Sequence, residues 1–151
     1  MITWQCKFFS DLLNKEVYKI LQLRNEVFIV EQNCVYQDCD DKDFKAWHLC
    51  GWDQENLIAY TRLFDKGVSY RDAASIGRVL TAPSVRGQNI GKELMLRSIG
   101  KIEELFGETM IRISAQLYLK RFYESFSFVQ KGEVYLEDGI KHISMLRTID
   151  S

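Results

Sequence analysis

One proline interrupts the 151 residues, and its position fixes a corner. Pro83 follows the apolar run ASIGRVLT (residues 74–81) and precedes VRGQNIGK (residues 85–92). Proline cannot donate to a β-ladder, so a strand over 74–81 ends there. Beyond the loop, Ile90, Leu94, Met95, Ile102, Leu105 and Phe106 recur at helical spacing, and Gly107 is a terminating residue for that helix. Strand, short glycine-bearing turn and helix together form an anion site, because first-turn amides have no intrahelical partner. Gly87 and Gly91 let the backbone approach a ligand, and Arg86 and Lys92 add positive charge. A Walker loop would carry Ser or Thr after its lysine, whereas Glu93 follows Lys92 here. A dinucleotide fingerprint would need GxGxxG, and three residues separate the glycines.

The rest of the chain reads in the same way. Residues 2–9 alternate as a first strand, and Ser10 with Asp11 suits the start of a helix running to about Val30. Residues 31–43 are polar, acidic and aperiodic, an ordered loop or a broken second helix. Residues 47–52 and 57–64 form a hairpin around a four-residue turn at 53–56. Residues 110–114 are a short buried strand, and residues 117–126 a short helix. Residues 128–135 and 140–147 are strands joined around Glu137-Asp138-Gly139. The expected order β-α-loop-β-β-β-α-β-α-β-β is one α/β domain over 1–151, with a mixed sheet and helices on its faces.

Composition narrows the function classes. With 46% hydrophobic and 27% charged residues, the chain has an ordinary soluble globular composition. A formal net charge of −1 argues against a dedicated nucleic-acid binder. No apolar run reaches about 18 residues, so no membrane partner is expected. The start of the chain lacks a secretory pattern, and the expected location is cytoplasmic. Cys6, Cys34, Cys39 and Cys50 form no CxxC pair, so reduced thiols and no metal site are expected.

The pattern Arg86-x-x-Asn89-x-Gly91 resembles motif A of the GNAT acetyltransferase superfamily, [QR]-x-x-G-x-[GA], with Asn89 in place of the central glycine. Asparagine tolerates left-handed φ better than other non-glycine residues and is also a good N-cap. LKRFYESFSF (residues 119–128) is similar to motif B, A-x-x-x-Y-x-x-x-G-F, with Tyr123 on the tyrosine and Phe128 on the phenylalanine; Leu119 and Ser127 replace the alanine and glycine. Residues 21–43, 79–95 and 134–145 resemble the ElaA-like branch, so the likeness spans nearly the whole chain.

The resemblance implies a GNAT-type fold, a central, mostly antiparallel mixed sheet flanked by helices, and transfer of acetyl from acetyl-CoA to a primary amine. It implies that Arg86, Gly87, Gln88, Asn89, Ile90, Gly91 and Lys92 bind the pyrophosphate of coenzyme A, that the strand backbone at Val79, Leu80 and Thr81 pairs with the pantetheine arm, and that Gln116 touches the cofactor. Small domains of this type commonly pair, so a homodimer is an admissible assembly. The acceptor is a small molecule or a peptide amine. A CoA-binding regulatory or interaction module without turnover is the alternative.

Acyl transfer to an amine needs a proton acceptor, an oxyanion donor and a proton for the leaving thiolate. A strand amide at Val79 or Leu80 suits the oxyanion, and the Tyr123 phenol suits the general acid. Glu31, His48 and His142 are the base candidates, each equally a structural side chain. Asp38, Asp40, Asp41 and Asp43 form a solvated loop or attract a cationic amine. Arg24, Arg62 and Arg78 orient an anionic acceptor group or neutralise that loop.

Overall fold

A computed structural model describes residues 1–149. Seven strands form a single sheet: β1 Thr3–Phe8, β2 Trp47–Asp53, β3 Asn56–Phe64, β4 Ala74–Thr81, β5 Ile111–Gln116, β6 Val129–Glu137 and β7 Ile140–Arg147, in the spatial order β1-β2-β3-β4-β5-β7-β6. The contact between β4 and β5 is parallel, and every other neighbouring pair among the described residues is antiparallel. The mixed, mostly antiparallel sheet with helices on its faces is the architecture the sequence led us to expect.

Alternation along the central strands sends side chains to two apolar layers. Leu49 of β2 and Ala59 of β3 join a cluster with Leu94, Met95, Ile99 and Ile102 of helix α2, Ile90–Phe106. Cys50 and Tyr60, one residue further on, join the opposite layer with Ile20 and Leu23 of helix α1, Asn14–Arg24, and with Val27. Within the first layer, the buried hydroxyls of Thr61 and Ser98 pair at 2.8 Å, and Ser98 also donates to the Leu94 carbonyl, so no polar atom of that contact is left unmatched.

Several local expectations are corrected. Ser10 does not cap α1: Phe9–Asp11 is an isolated 3₁₀ turn and the helix begins at Asn14. Glu16 decides that start, because its carboxylate accepts the Leu13 N–H at 2.7 Å while also binding Gln5 and Lys7. The chain stays helical to Glu31, but Asn25–Glu31 widens into π geometry, a form common at functional sites. The first hairpin turns more tightly than expected, with Asp53 paired to Asn56 and Gln54 left-handed at φ 56°. Residues 117–126 split into a 3₁₀ turn, Leu117–Leu119, and a short helix α3, Lys120–Glu124.

The feature that shapes the site is a divergence. β4 pairs with β5 only at Ala74–Ile111 and Ser75–Arg112. Beyond Ser75 the two strands separate, β5 following β7 and β4 following β3, which leaves one edge of β4 open.

Candidate active site

The divergence opens a cleft of about 600 Å³. Its walls include Val79 from β4, Gln116 from the end of β5, Tyr123 from α3 and His142 from β7. A second pocket lies at the strand–helix corner, lined by Thr81, Arg86, Gly87, Asn89, Gly91 and Lys92 among others.

At that corner the backbone is shaped for close approach. Gly87 has φ 83°, and nothing lies within 4 Å of where its Cβ would be. Asn89 precedes α2 with φ 60°, the left-handed conformation that asparagine tolerates, but its side chain makes no capping hydrogen bond. The amides at the start of α2 are therefore not closed off by Asn89. A second replaced glycine behaves alike: Ser127, at the glycine of motif B, adopts φ 71°. A Cβ on Gly91 would meet only the Phe122 ring, at 3.8 Å. We predict that Gly91→Val folds normally but loses coenzyme A affinity by about tenfold or more, because its methyls enter the pocket beside the helix N-terminus. Asn89→Gly keeps that affinity. Calorimetric titration of both variants checks the pair of outcomes.

β4 carries an irregularity. Tyr60 faces Leu80 and Arg62 faces Gly77, so Thr61 stands opposite both Arg78 and Val79, a β-bulge in which Arg78 takes φ 51°. Ala82 N–H donates to the Ile58 carbonyl at 2.8 Å, which sets the phase of the strand. With a period of two, the Leu80 N–H turns toward β3, while the Val79 and Thr81 N–H groups turn to the open edge. Of the two residues whose amides are candidates for the oxyanion, Val79 lines the cleft and Leu80 does not.

Tyr123 is 5% exposed, and its hydroxyl bonds to no other described residue. Burial pushes the phenol above its ordinary pKa, which keeps it protonated. Gln116 sits opposite His142 across the β5–β7 ladder, and Gln32 Nε2 donates to the Gln116 side-chain oxygen Oε1 at 3.4 Å.

The three base candidates separate clearly. His48 is 1% exposed and does not line the cleft. Its Nε2 lies 3.0 Å from the Asp43 carbonyl, which can only accept, so Nε2 carries the proton and Nδ1 accepts from the Tyr60 hydroxyl at 2.5 Å. With both nitrogens engaged, His48 is structural. Glu31 also falls outside the cleft: it forms a fork with Arg86 at 2.5 and 2.6 Å, and that bonding holds its carboxyl below the usual range. The fork also occupies the guanidinium expected to meet phosphate. His142 lines the cleft, and its Nδ1 lies 2.7 Å from the Ile140 carbonyl. That contact puts the proton on Nδ1 and leaves Nε2 with a lone pair in the neutral ring, 3.5 Å from Glu137.

Three of the four aspartates, Asp38, Asp40 and Asp43, pair with the arginines, while Asp41 is exposed and joins none of these pairs. Arg24, 0% exposed, binds Asp38 and Asp43; Arg62 binds Asp40 and Asp43; Arg78 binds Asp38. Burial disfavours the Asp43 charge, but Arg24 and Arg62 outweigh it, so its pKa lies below the ordinary range; the same balance, with Arg62 as main partner, lowers Asp40. Burial likewise lowers the His48 pKa. These shifts act together on stability. Below pH about 6.5 the unfolded chain gains a proton at His48 that the folded chain refuses, and below about 4 it gains more at Asp40 and Asp43. We expect the melting temperature to fall from pH 7 to 5 and more steeply below 4, with His48→Gln flattening the first part. A rise on acidification to pH 5 would contradict this.

Sequence reasoning missed other cleft residues. Cys34, in the loop from residue 31, donates to the Asp138 carbonyl at 3.3 Å and docks that loop on the β6–β7 turn. Ser114 hydrogen-bonds the Tyr135 hydroxyl and lies 3.5 Å from Glu137. Glu137 was legible only as part of a turn. Gly77, a lone glycine inside a strand, was the available signal for the bulge.

Comparison with known proteins agrees with this fold. The profile of the family described as Acetyltransferase (GNAT) domain matches residues 14–149. The crystal structure of an acyl-CoA N-acyltransferase from Pseudomonas aeruginosa superposes with a TM-score of 0.94 at 43% identity, covering 98% of this chain and 100% of that one. That of Escherichia coli ElaA gives a TM-score of 0.91 at 39% identity, covering 97% and 99%. A UPF0039 protein of Synechocystis is 38% identical over 146 residues, 96% of this chain and 94% of its own. The chain therefore belongs to the GNAT acetyltransferase superfamily, with the acyltransferase activity and CoA-type acyl donor of that class. Within it the chain is ElaA-like.

Proposed function

We propose that the chain is an N-acetyltransferase acting on the primary amine of a small molecule or peptide, with acetyl-CoA as donor. The observation that carries this reading is the divergence of β4 from β5, which gathers the open-edge Val79 N–H, the Tyr123 phenol and the His142 lone pair around one cleft. Bound acetyl-CoA would supply the acyl group as an activated thioester. The residue set fits it: the corner amides at Gly87, Gln88, Asn89, Ile90 and Gly91, with Lys92, would hold the pyrophosphate, and the Thr81 N–H would pair with the pantetheine arm. Gln116 would bind the cofactor beside Tyr123, and Val79 N–H would hold the acyl carbonyl oxygen.

Each proton then has an owner. A lysine-type amine of pKa about 10.4 is charged at pH 7, and presenting it neutral costs roughly 4–5 kcal/mol. The Ile140 carbonyl fixes the tautomer of the neutral ring, His142 Nε2 takes that proton, directly or through one water, and Glu137 then holds the charged ring. Tyr123 donates its hydroxyl proton to the leaving sulfur.

The test is release of coenzyme A thiol from acetyl-CoA against a panel of small amines and peptides. Amine-dependent release is expected. Tight coenzyme A binding without release for any acceptor would favour a binding module.

A further inference from the structure

We propose that Arg78 is a positioning residue: clamped on Asp38, it holds the β4 bulge in the left-handed conformation that turns the Val79 N–H into the cleft. The inference rests on the reading that Val79 serves the acyl carbonyl. Arg78 adopts φ 51° inside a strand, a region that side chains other than Asn and Asp rarely enter. Something outside the local backbone must hold it there.

The clamp is visible. Arg78 Nε donates to Asp38 Oδ1 at 2.7 Å, and its NH2 donates to the Asp38 carbonyl at 2.9 Å. Asp38 is itself fixed, since the buried Arg24 donates to Oδ2 at 2.8 Å and to the same carbonyl at 3.2 Å. On the other side of the bulge, Gly77 rests on Arg62: a Cβ there would lie 3.6 Å from Arg62 Nε, and Arg62 is tied to Asp40 and Asp43. The bulge is thus bracketed by two arginines whose far ends are anchored in one acidic loop.

Charge counting decides between this role and a direct one. Arg24, Arg62 and Arg78 face Asp38, Asp40 and Asp43, three cations to three carboxylates, so the network has no surplus cation for an anionic acceptor group. The Tyr36 ring covers the guanidinium at 5.8 Å, and its hydroxyl donates to Asp38 Oδ1 at 3.2 Å, which adds to the clamp.

Two variants at the same position separate the roles. Arg78→Ala removes the clamp and keeps a Cβ that resists positive φ; Arg78→Gly removes both the clamp and the resistance. We expect Ala to lower kcat by about tenfold with the KM for acetyl-CoA nearly unchanged, and Gly to retain kcat within about threefold. We also expect Gly to melt above Ala, the reverse of the usual order in a strand. Equal loss of kcat in both variants would mean that the guanidinium acts on substrate and would overturn the proposal. Wild-type kcat in both would overturn it as well. If the wild-type protein released no thiol, the reading of Val79 would fail separately, and crystal structures of the variants would still decide on Arg78: the proposal requires negative φ at residue 78 in the Ala variant and positive φ in the Gly variant. A φ near 51° with alanine would refute it.

Discussion

Tyr123→Phe lowers kcat by about 10²-fold while coenzyme A binds with unchanged affinity. General acid catalysis contributes about 10²–10⁴. The lower end applies because burial raises the phenol pKa and makes full proton delivery to sulfur harder than for a phenol of pKa about 10. The same burial favours the protonated hydroxyl, the form that the general acid needs. The ring, which packs edge-on against Phe122 and Phe128, survives the substitution, so fold and pocket shape are preserved. Single-turnover kinetics with saturating acetyl-CoA, beside a binding titration, check both halves. An unchanged single-turnover rate across pH would remove Tyr123 from the chemistry.

Arg24→Ala destabilises the protein by about 3–5 kcal/mol. Arg24 is fully buried and donates to two carboxylates, Asp38 and Asp43, so its loss leaves buried negative charge with fewer donors. Arg62 and Arg78 still reach those carboxylates, which is why the loss stays within that range. The consequence extends to the site, because the loop carrying these aspartates is the one that clamps Arg78. Urea unfolding, read as a lower midpoint at constant slope, measures it.

Legibility in the sequence followed the range of the physics. β4 and β7 were predicted to the residue, because Pro83 and the Asp138-Gly139 turn mark their ends locally. The strand–helix corner was legible for the same reason, and Asn89 could be read as a tolerated left-handed position at a motif glycine, whereas the φ of 71° at Ser127 emerged only from the structure. The first helix start was misplaced because a carboxylate three residues beyond Leu13, that of Glu16, caps the helix there in place of the nearby Ser10. The acidic loop could not be resolved from composition alone. Its order depends on partners 14 to 40 residues away, such as Arg24 and Arg78 with Asp38. The pairing of Glu31 with Arg86 spans 55 residues, so nothing local warned that this carboxylate was already committed. The divergence of β4 from β5 is likewise a property of sheet topology, and with it the company that Tyr123, His142 and Val79 keep.

The central claim is that this divergence forms the acyl-CoA site. A crystal structure with a non-reactive acyl-CoA analogue tests it most directly. The account predicts the pyrophosphate within hydrogen-bond distance of the amides at residues 87–91, and the acyl carbonyl oxygen within about 3.1 Å of the Val79 N. Pyrophosphate bound away from that corner, or an acyl group whose carbonyl turns from Val79, would contradict it.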